Sequence, residues 1–342
     1  MAKKKVTILS LDGGGIRGIL SGEVVVALER ELQRQSKSDD RIGDYFDFIA
    51  GTSTGGIMAA AYLLPGHNNK ARFRAADVMG LYIEKGDQIF EQNEIRSWIS
   101  YIYNERYDAN NLEEELQLFF GDAKLSELLR PCLITSYNIE SRNAKLFNQA
   151  LAGRADMDFY VRDVVRATSA APTYFEPAKI CAIDDDVPYH LVDGGVYANN
   201  PALCAYAEVR KMIFKKHGPD INQPMAKDML MISIGTGEVK QGYRYDDLKD
   251  AGAMKWVKPL IDILMSANAE TVSYQLRRMY DTLAPEDRND YYRLEPKLVT
   301  ASAEMDDVSD RNIGDLQRDG REFAEANREL IAEIAEKVLR YR

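Results

Sequence analysis

A serine flanked by glycines, at the junction of a strand and a helix, constrains this chain more than any other stretch. The segment from Phe48 to Ile57 reads FIAGTSTGGI and contains the pattern Gly51-x-Ser53-x-Gly55. A serine in a tight turn between strand and helix has its hydroxyl pushed out of the backbone, and the glycines leave room for the turn and for a substrate. The pattern therefore indicates a nucleophile elbow with Ser53 at its tip.

The residues on both sides of Ser53 supply the context that an elbow needs. The apolar run Tyr45–Ala50 predicts a buried strand, and the run Ile57–Leu64, which stops at Pro65, predicts a helix. The start of that helix places a positive dipole end beneath the serine and favours developing negative charge. Because G-x-S-x-G also occurs by chance, this stretch alone leaves a structural glycine-rich turn open as the alternative.

A second glycine-rich loop follows the first predicted strand, Val6–Leu11. Its sequence, Asp12-Gly-Gly-Gly-Ile-Arg-Gly18, leads directly into a predicted helix with an apolar stripe over 19–32. Strand, glycine loop and helix in this order are typical of the start of an α/β fold. Consecutive glycine amides at a helix start can point at one spot and form an anion hole. Arg17 adds a positive charge nearby, and its alternative role is that of a surface or turn-stabilising arginine.

The same loop also matches the dinucleotide fingerprint Gly13-x-Gly15-x-x-Gly18. That fingerprint expects an acidic residue at the end of a second strand, but Asp39 and Asp40 lie in a polar loop. A dehydrogenase would also have no use for a serine elbow. An anion hole is the better interpretation, and a nucleotide-binding module stays open as the alternative.

A serine nucleophile needs a group that takes its proton, and the histidines of this chain fit that role poorly. His67 lies in a basic loop, His217 lies in a predicted turn, and His190 precedes a strand. Asp193 is the better candidate, because it ends an apolar strand and two glycines let its turn approach another backbone. A partly desolvated aspartate beside a serine can act as a general base. The alternative for Asp193 taken alone is an Asp-Gly turn or a helix cap.

The composition argues against several classes of protein. The 342 residues carry a formal net charge of −10, which argues against non-specific binding of DNA or RNA. Cys132, Cys181 and Cys204 have no paired spacing, so we expect reduced thiols rather than disulfides or a metal site. No apolar run approaches the ~20 residues of a transmembrane helix, and the apolar run after the basic start is too short for a secretory signal. We therefore expect a cytoplasmic protein whose contact with a membrane is peripheral.

The rest of the chain continues the alternation of strands and helices. Further strands are predicted at Cys132–Tyr137, Lys145–Phe147, Tyr189–Val192, Met229–Ile234 and Tyr291–Leu294. Helices are predicted from Asn111, with Asn110 or Asn111 as cap, at Val161–Pro172, from Asn200, at Trp256–Tyr280 and at Ile313–Tyr341. The aromatic cluster Ile95–Tyr103 predicts a packed cap helix, with a membrane-facing or gating helix as the alternative. No internal repeat or low-complexity linker is visible, so we predict one domain.

Three motifs of the chain are far more specific together than any one alone. They are Asp12-Gly-Gly-Gly-Ile-Arg-Gly18, Gly51-Thr-Ser-Thr-Gly-Gly56 and Asp193-Gly-Gly195. In this order they resemble the patatin-like phospholipase family, and the resemblance extends to 167–175, 199–201 and 233–237. It implies an α/β patatin-like three-layer fold, with a mostly parallel central sheet flanked by helices and a Ser-Asp dyad at strand ends. For the single domain predicted over residues 1–342, the resemblance is strong over a motif core of about 6–237 and looser over a C-terminal helical and strand extension of about 238–342.

The resemblance implies a role for each matching residue. Ser53 matches the nucleophile, and Asp193 matches the base of a Ser-Asp dyad. The residues that match the oxyanion hole are Gly13, Gly14, Gly15, Arg17 and Gly18, with the amides of Gly14 and Gly15 as the favoured donors. The residues that match the elbow and the turn after the base are Gly51, Gly55, Gly194 and Gly195. The family's reaction is the hydrolysis of acyl esters, mainly of glycerophospholipids, and it implies no cofactor and no catalytic metal.

The resemblance also bears on partners and regulation. It implies a membrane phospholipid substrate, reached by peripheral contact at the inner membrane when the enzyme is active. Some bacterial patatin-like proteins are antiphage effectors switched on by a cyclic oligonucleotide, so a cyclic dinucleotide activator is one expectation and a housekeeping hydrolase is the other. The basic loop Gly66–Arg74 or Arg277-Arg278 would contact its phosphates, unless either is only a solvated charged face. A homo-oligomer, and a non-catalytic storage or scaffold protein with a relic site, also stay open.

Overall fold

The computed structural model of the chain describes residues 4–80, 83, 109–215, 220–237 and 242–342. The predicted cap helix at Ile95–Tyr103 and the candidate His217 lie outside the described residues. Within the described ranges, no helix combines the length and the apolar character needed to span a bilayer.

A mixed sheet forms the middle of the described part of the chain. Its strands are β1 (Val6–Leu11), β2 (Phe48–Thr52), β3 (Cys132–Asn138), β4 (Asn143–Asn148), β5 (Ala178–Ile180), β6 (Tyr189–Asp193), β9 (Met229–Ile234) and β10 (Tyr291–Leu294). The short strands β7 (Ile213–Phe214) and β8 (Ile221–Asn222) form a separate hairpin. The sheet order is β10-β9-β1-β2-β3-β6-β5, with β4 also paired to β3. The five strands from β10 to β3 are parallel, and the remaining pairs are antiparallel.

Helices connect these strands and cover the sheet. In chain order they are α1 (Gly18–Ser36), α2 (Ile42–Tyr45), α3 (Thr54–Leu63), α4 (Ala75–Gly80), α5 (Ala109–Phe120), α6 (Val161–Thr168), α7 (Gly195–Ala198), α8 (Ala202–Val209), α9 (Tyr245–Leu248), α10 (Ala253–Asp281), α11 (Asp310–Ala326) and α12 (Arg328–Tyr341). A single 3-10 turn, Gly15–Arg17, leads into α1.

Successive residues of the central strands point to opposite faces of the sheet and bury both of them. In β1, Leu9 and Leu11 belong to one hydrophobic core, and Val6 and Ile8 belong to the other. The first core is covered by α1, α3, α6, α11 and α12, and the second by α8 and α10. Helices on both faces explain why these strands consist of apolar runs. The predicted three-layer α/β fold is therefore confirmed.

Two predicted starts are wrong by a few residues. The strand β2 begins at Phe48, because Tyr45 ends the short helix α2. The helix α5 begins at Ala109, so Asn110 and Asn111 lie inside its first turn and neither of them precedes the helix as a cap.

Two predicted helices also end differently. The helix α6 ends at Thr168, because Ser169 leaves helical geometry before Pro172 is reached. The predicted tail helix is two helices, α11 and α12, which meet at Asn327. Both of them pack against α1: Leu316 and Ile334 are buried in the same core as Val24 and Leu28 of that helix. The end of the chain therefore contributes to the core beside the motif-bearing strands.

Candidate active site

Ser53 lies in a strained turn between β2 and α3. Its backbone has φ 53° and ψ −124°, a left-handed conformation that residues other than glycine rarely adopt. Its amide donates to the Thr168 hydroxyl at 2.9 Å, and its carbonyl accepts from the Ile57 amide at 3.0 Å. The side chain is buried, with 4% of its surface exposed. The turn therefore has the geometry of a nucleophile elbow held in place by its own hydrogen bonds.

A close approach between α3 and β1 explains one of the flanking glycines. A Cβ atom on Gly55 would lie 2.2 Å from the carbonyl oxygen of Leu11, which is closer than any real side chain allows. The first turn of α3 is thus pressed against the end of β1. The glycine loop that follows β1 is brought beside Ser53 by this contact.

β2 and β6 pair with successive parts of one edge of β3, and their carboxyl ends face each other there. The register pairs Thr52 with Thr135 and Asp193 with Ser136, the next residue of β3. The other edge of β3 is taken by β4 along nearly its whole length. Antiparallel β6 therefore ends where parallel β2 ends, and the residue that follows Thr52 is Ser53. This arrangement brings Ser53 and Asp193 together from distant parts of the sequence.

Asp193 is a buried carboxylate that is hydrogen-bonded to the Ser53 hydroxyl. Burial raises the pKa of Asp193 from 3.8 to about 7, although the hydrogen bonds from Ser53 and from the Gly195 amide act in the opposite direction. The Gly195 amide donates to Oδ1 at 2.7 Å, and the Asp193 amide donates to the Ala170 carbonyl at 2.9 Å. A carboxylate with a pKa near neutrality and a fixed orientation is suited to taking a proton.

The glycine loop is anchored on both sides of its tip. The Gly13 amide donates to the Asn199 carbonyl at 3.0 Å, and the Gly13 carbonyl accepts from the Thr236 hydroxyl at 2.7 Å. The Ile16 amide donates to the Met305 carbonyl at 3.0 Å. The amides of Gly14 and Gly15, which lie between these anchors, have no acceptor within the described ranges. They are the two amides of the loop that an incoming anion can use.

Arg17 and Gly18 fix the position of the loop by a hydrogen bond and by close packing. The Arg17 Nε donates to the Gly14 carbonyl at 3.4 Å, and the side chain lies in the wall of a neighbouring cavity that Asp12 and Arg293 also line. Burial lowers the pKa of the Arg17 guanidinium. Gly18 is needed for packing, because a Cβ there would lie 2.2 Å from the Thr54 Oγ1. Gly194 likewise passes close to Thr135: a Cβ added to Gly194 would lie 2.1 Å from the Thr135 Oγ1.

A buried ion pair that sequence reasoning missed holds the start of the loop. Arg293 of β10 donates to both carboxylate oxygens of Asp12, at 3.0 and 2.6 Å, and to the Ser233 hydroxyl at 2.8 Å. It also pairs with Glu295. Although burial acts against the charge, Asp12 and Glu295 hold the pKa of Arg293 above its usual range. The available signal was a charged residue inside the apolar strand Tyr291–Leu294.

Replacing Arg293 by methionine is expected to lower the free energy of unfolding by about 3 to 5 kcal/mol, because it leaves the buried Asp12 carboxylate unpaired. The double variant Asp12→Asn/Arg293→Met should recover much of this loss, because no charge of the pair then remains buried. Urea denaturation of the wild type, both single variants and the double variant measures the coupling. Strictly additive losses would show that the two side chains do not act as a pair.

An apolar pocket opens above Ser53 and Asp193. Its walls come from the segment after α6, from α7 and from α10, and Gly15 and Met305 also line it. The apolar residues among its lining are Ala171, Pro172, Val196, Ile261, Leu264, Met265 and Met305. Such walls exclude water from the carboxylate and suit an acyl chain better than a charged ligand.

The histidines described by the structure lie away from this site. His190 and Asp193 alternate along β6, so their side chains point to opposite faces, and His190 Nδ1 lies 3.0 Å from a carboxylate oxygen of Glu140. His67 is exposed beyond the far end of α3, about 15 Å of helix from Ser53. Over the part of the chain that the structure covers, no group of three His, Cys, Asp or Glu residues could hold a metal ion.

Comparisons with known proteins match most of the chain. The sequence model of a family described as Patatin-like phospholipase matches residues 9–206. Patatin-like protein 2 from Oryza sativa subsp. indica is 34% identical over 346 residues, which cover 95% of this chain and 85% of that protein. Probable inactive patatin-3-Kuras 1 from Solanum tuberosum is 31% identical over 318 residues, covering 90% and 83%. The crystal structure of VipD from Legionella pneumophila aligns with a TM-score of 0.46 and 12% identity, covering 98% of this chain and 67% of that chain.

Proposed function

Because this chain belongs to the patatin-like phospholipase family, we propose that it hydrolyses acyl esters of membrane glycerophospholipids, with Ser53 as nucleophile and Asp193 as general base. The observation that carries this proposal is the hydrogen bond between the Ser53 hydroxyl and a buried Asp193 carboxylate at the floor of an apolar pocket. A serine beside a base of suitable pKa is the arrangement that acyl transfer requires. The protein would reach its substrate by peripheral contact with a membrane.

In the first half of the reaction, Asp193 takes the proton of the Ser53 hydroxyl as Ser53 Oγ attacks the ester carbonyl carbon. The carbonyl π bond opens and the oxygen becomes an oxyanion. When the tetrahedral intermediate collapses, the bond to the glycerol oxygen breaks, and Asp193 returns its proton to that oxygen. The lysophospholipid leaves, and the acyl group remains on Ser53.

The amides of Gly14 and Gly15 are the proposed donors to the oxyanion. Their neighbours Gly13 and Ile16 already donate to carbonyl groups of Asn199 and Met305, so the free amides between them are preorganised. Each such donor contributes about 3 kcal/mol to transition-state stabilisation in comparable sites.

In the second half, Asp193 takes a proton from water as the water oxygen attacks the acyl carbon of the ester on Ser53. The new intermediate collapses, the bond to Ser53 Oγ breaks, and the proton on Asp193 passes to Ser53. A fatty acid is released and the enzyme is restored. A Ser-Asp dyad has no third side chain that orients the base. In this protein the backbone amide of Gly195, which donates to Asp193 Oδ1, holds the carboxylate in position.

The alternatives are weighed against particular residues. A nucleotide-binding module expects an acidic residue after the second strand, where this chain has Thr52 and Ser53. For a cyclic dinucleotide activator, part of the charge of the two basic stretches is already paired, because Lys70 pairs with Asp40 and Arg278 pairs with Asp281. The experiment below therefore also tests for activation by a cyclic dinucleotide, for homo-oligomerisation and for a relic site.

The test is fatty-acid release from vesicles of phosphatidylethanolamine and phosphatidylglycerol, followed by mass spectrometry of fatty acid and lysophospholipid. We expect both products in equal amounts from the wild type and neither from Ser53→Ala. Each protein is assayed with and without a panel of cyclic dinucleotides, and its mass in solution is measured by light scattering. If folded wild type releases no fatty acid under any of these conditions, the proposed function is wrong and the relic alternative gains support.

Replacing Gly15 by alanine tests the oxyanion loop. Gly15 has φ +61°, and a Cβ there would lie 2.4 Å from the Met305 carbonyl oxygen, so the loop must shift. We expect kcat to fall by about 10²-fold while KM changes little, because the displaced amides act mainly in the transition state. Gly121→Ala is the matched control: its φ is +55° but nothing lies within 4 Å of the added Cβ. Equal losses in both variants would contradict the role of the loop.

A further inference from the structure

The first turns of α10 carry an apolar face that is exposed to solvent. We define this apolar face by six side chains with exposed fractions between 37% and 90%, namely Met254, Trp256, Val257, Leu260, Ile263 and Leu264. They cover about 15 Å of helix. A contiguous patch of this kind on an otherwise charged protein marks an interaction surface.

The apolar face is separated from the charged side of the same helix. Trp256, Leu260 and Ile263 recur at spacings of four and three residues, which places them on one side. Lys255 and Asp262, two turns apart, share a different side, where Asp262 accepts a hydrogen bond from the Tyr243 hydroxyl at 3.2 Å. The helix segment is thus amphipathic, and none of the charged side chains that the structure describes in it lies among the six apolar ones.

The apolar face continues into the pocket above Ser53. Leu264 belongs to both, because it lines the pocket and remains 49% exposed. Ile261 and Met265 of the same turns also line the pocket, as does Val196 of α7, which is 40% exposed. Leu264 and its neighbours therefore form a continuous apolar path from this face into the pocket, along which an acyl chain could enter.

We propose that the apolar face of α10 docks on the surface of a phospholipid bilayer and delivers the acyl chain of a lipid to Ser53. This inference rests on the proposed function, since it names the surface through which the same site meets its substrate. A bilayer is the occupant that the features favour together: the face is continuous with the acyl pocket, its six defining side chains are all apolar, and one of them is a tryptophan, a residue enriched at membrane interfaces.

Binding is tested without turnover, in the Ser53→Ala background, by flotation with vesicles of phosphatidylethanolamine and phosphatidylglycerol. Leu260→Glu and Trp256→Ala are expected to lower the bound fraction by about tenfold or more, and high salt is expected to change it little. The matched control is Ile213→Glu, because Ile213 is 62% exposed but lies at the other end of the sheet from Ser53. Its neighbour Phe214 packs with Val6 and Met229, which are at the amino ends of the strands. Binding that survives both variants overturns the proposal.

Fluorescence gives a second reading on the same surface. The sequence has two tryptophans, so Trp98→Phe leaves Trp256 alone. Its emission should shift to the blue on addition of vesicles and should be quenched by lipids brominated on the acyl chains. Emission that is unchanged by vesicles to which the protein demonstrably binds would place the contact elsewhere and overturn the proposal.

Activity assays separate this inference from the proposed function. Leu260→Glu should hydrolyse a short-chain soluble ester within about twofold of the wild type and vesicle phospholipid at least about tenfold more slowly. If soluble hydrolysis depends on Ser53 while vesicle hydrolysis is unchanged in Leu260→Glu, the docking surface is wrong and the dyad stands. If the wild type hydrolyses neither substrate, the proposed function fails, and the flotation assay still decides whether the apolar face binds vesicles.

The apolar face could instead hold two copies of the chain together. A dimer that Leu260→Glu dissociates without loss of vesicle binding would identify the face as a subunit contact and overturn the proposal.

Discussion

Replacing Ser53 by alanine is expected to lower kcat for ester hydrolysis by about 10⁴-fold or more, with KM within a few-fold of the wild type. The reason is that Ser53 Oγ forms the bond to the acyl carbon in the proposed mechanism, and the threonine hydroxyls beside it are held by other groups. The neighbouring Thr52 hydroxyl is buried between the Thr135 hydroxyl and the Ala198 carbonyl, each at 2.6 Å. The Thr168 hydroxyl donates to the Thr135 carbonyl and accepts from the Ser53 amide.

The measurement uses a soluble ester and a phospholipid vesicle with the same purified proteins. Ser21→Ala is the matched control, because Ser21 is equally buried but donates only to the Gly18 carbonyl of its own helix at 3.0 Å. It should keep full activity. A Ser53→Ala protein with wild-type kcat would remove Ser53 from the mechanism, and with it the central claim about this site.

The local parts of the site could be predicted because each depends on short-range rules. Glycine spacing around Ser53 and Asp12 reports where the backbone must turn sharply or approach another strand, and apolar runs report which strands are covered on both faces. These signals predicted the strands β1, β2, β6 and β9, which the structure contains, and the turns that follow them. The assignment of Asp193 as base also needed the family resemblance, since an Asp-Gly turn alone is common.

The long-range parts could not be predicted. Nothing local to β6 says that it runs antiparallel and ends against β2 on the same edge of β3, which is what joins Asp193 to Ser53. The partner of Asp12 lies 281 residues away at Arg293, outside the three motifs. The anchors on Gly13 come from Asn199 and Thr236, whose segments resemble family motifs but had no assigned contact. Tertiary packing decides such contacts, and one sequence does not reveal it.

Asp193 carries the second large expected effect, because in the proposed mechanism its burial supplies basicity for catalysis and at the same time lowers stability. In the unfolded chain its pKa is 3.8, and in the folded protein it is about 7. The folded state therefore holds a proton that the unfolded state has lost between these two pH values. In this range wild-type stability falls as pH rises, and the full penalty, about 4 kcal/mol, is reached above pH 7. In the proposed mechanism, the basicity that this burial gives Asp193 is what takes the proton of Ser53.

The variant Asp193→Asn should therefore lose activity and gain stability. For the wild type, kcat/KM should rise with pH and reach half its limit near pH 7, the pKa of Asp193, while the variant should be about 10⁴-fold slower with no such rise. Its unfolding free energy should exceed that of the wild type by a margin that grows from pH 4 to about 7 and then levels off.

Asp319→Asn is a control in which the change in stability is expected to have the opposite sign. Burial alone would raise the pKa of Asp319, but the amides of Ala301, Thr300 and Val299 donate to its carboxylate and hold the pKa below 3.8. The charged form is thus favoured by folding, so this variant should be less stable than the wild type at neutral pH, and the difference should vanish as pH falls through the lowered pKa. Urea denaturation across the pH range decides both cases. If Asp193→Asn were instead less stable than the wild type at pH 8, the carboxylate would be a structural group, and another residue would have to serve as base.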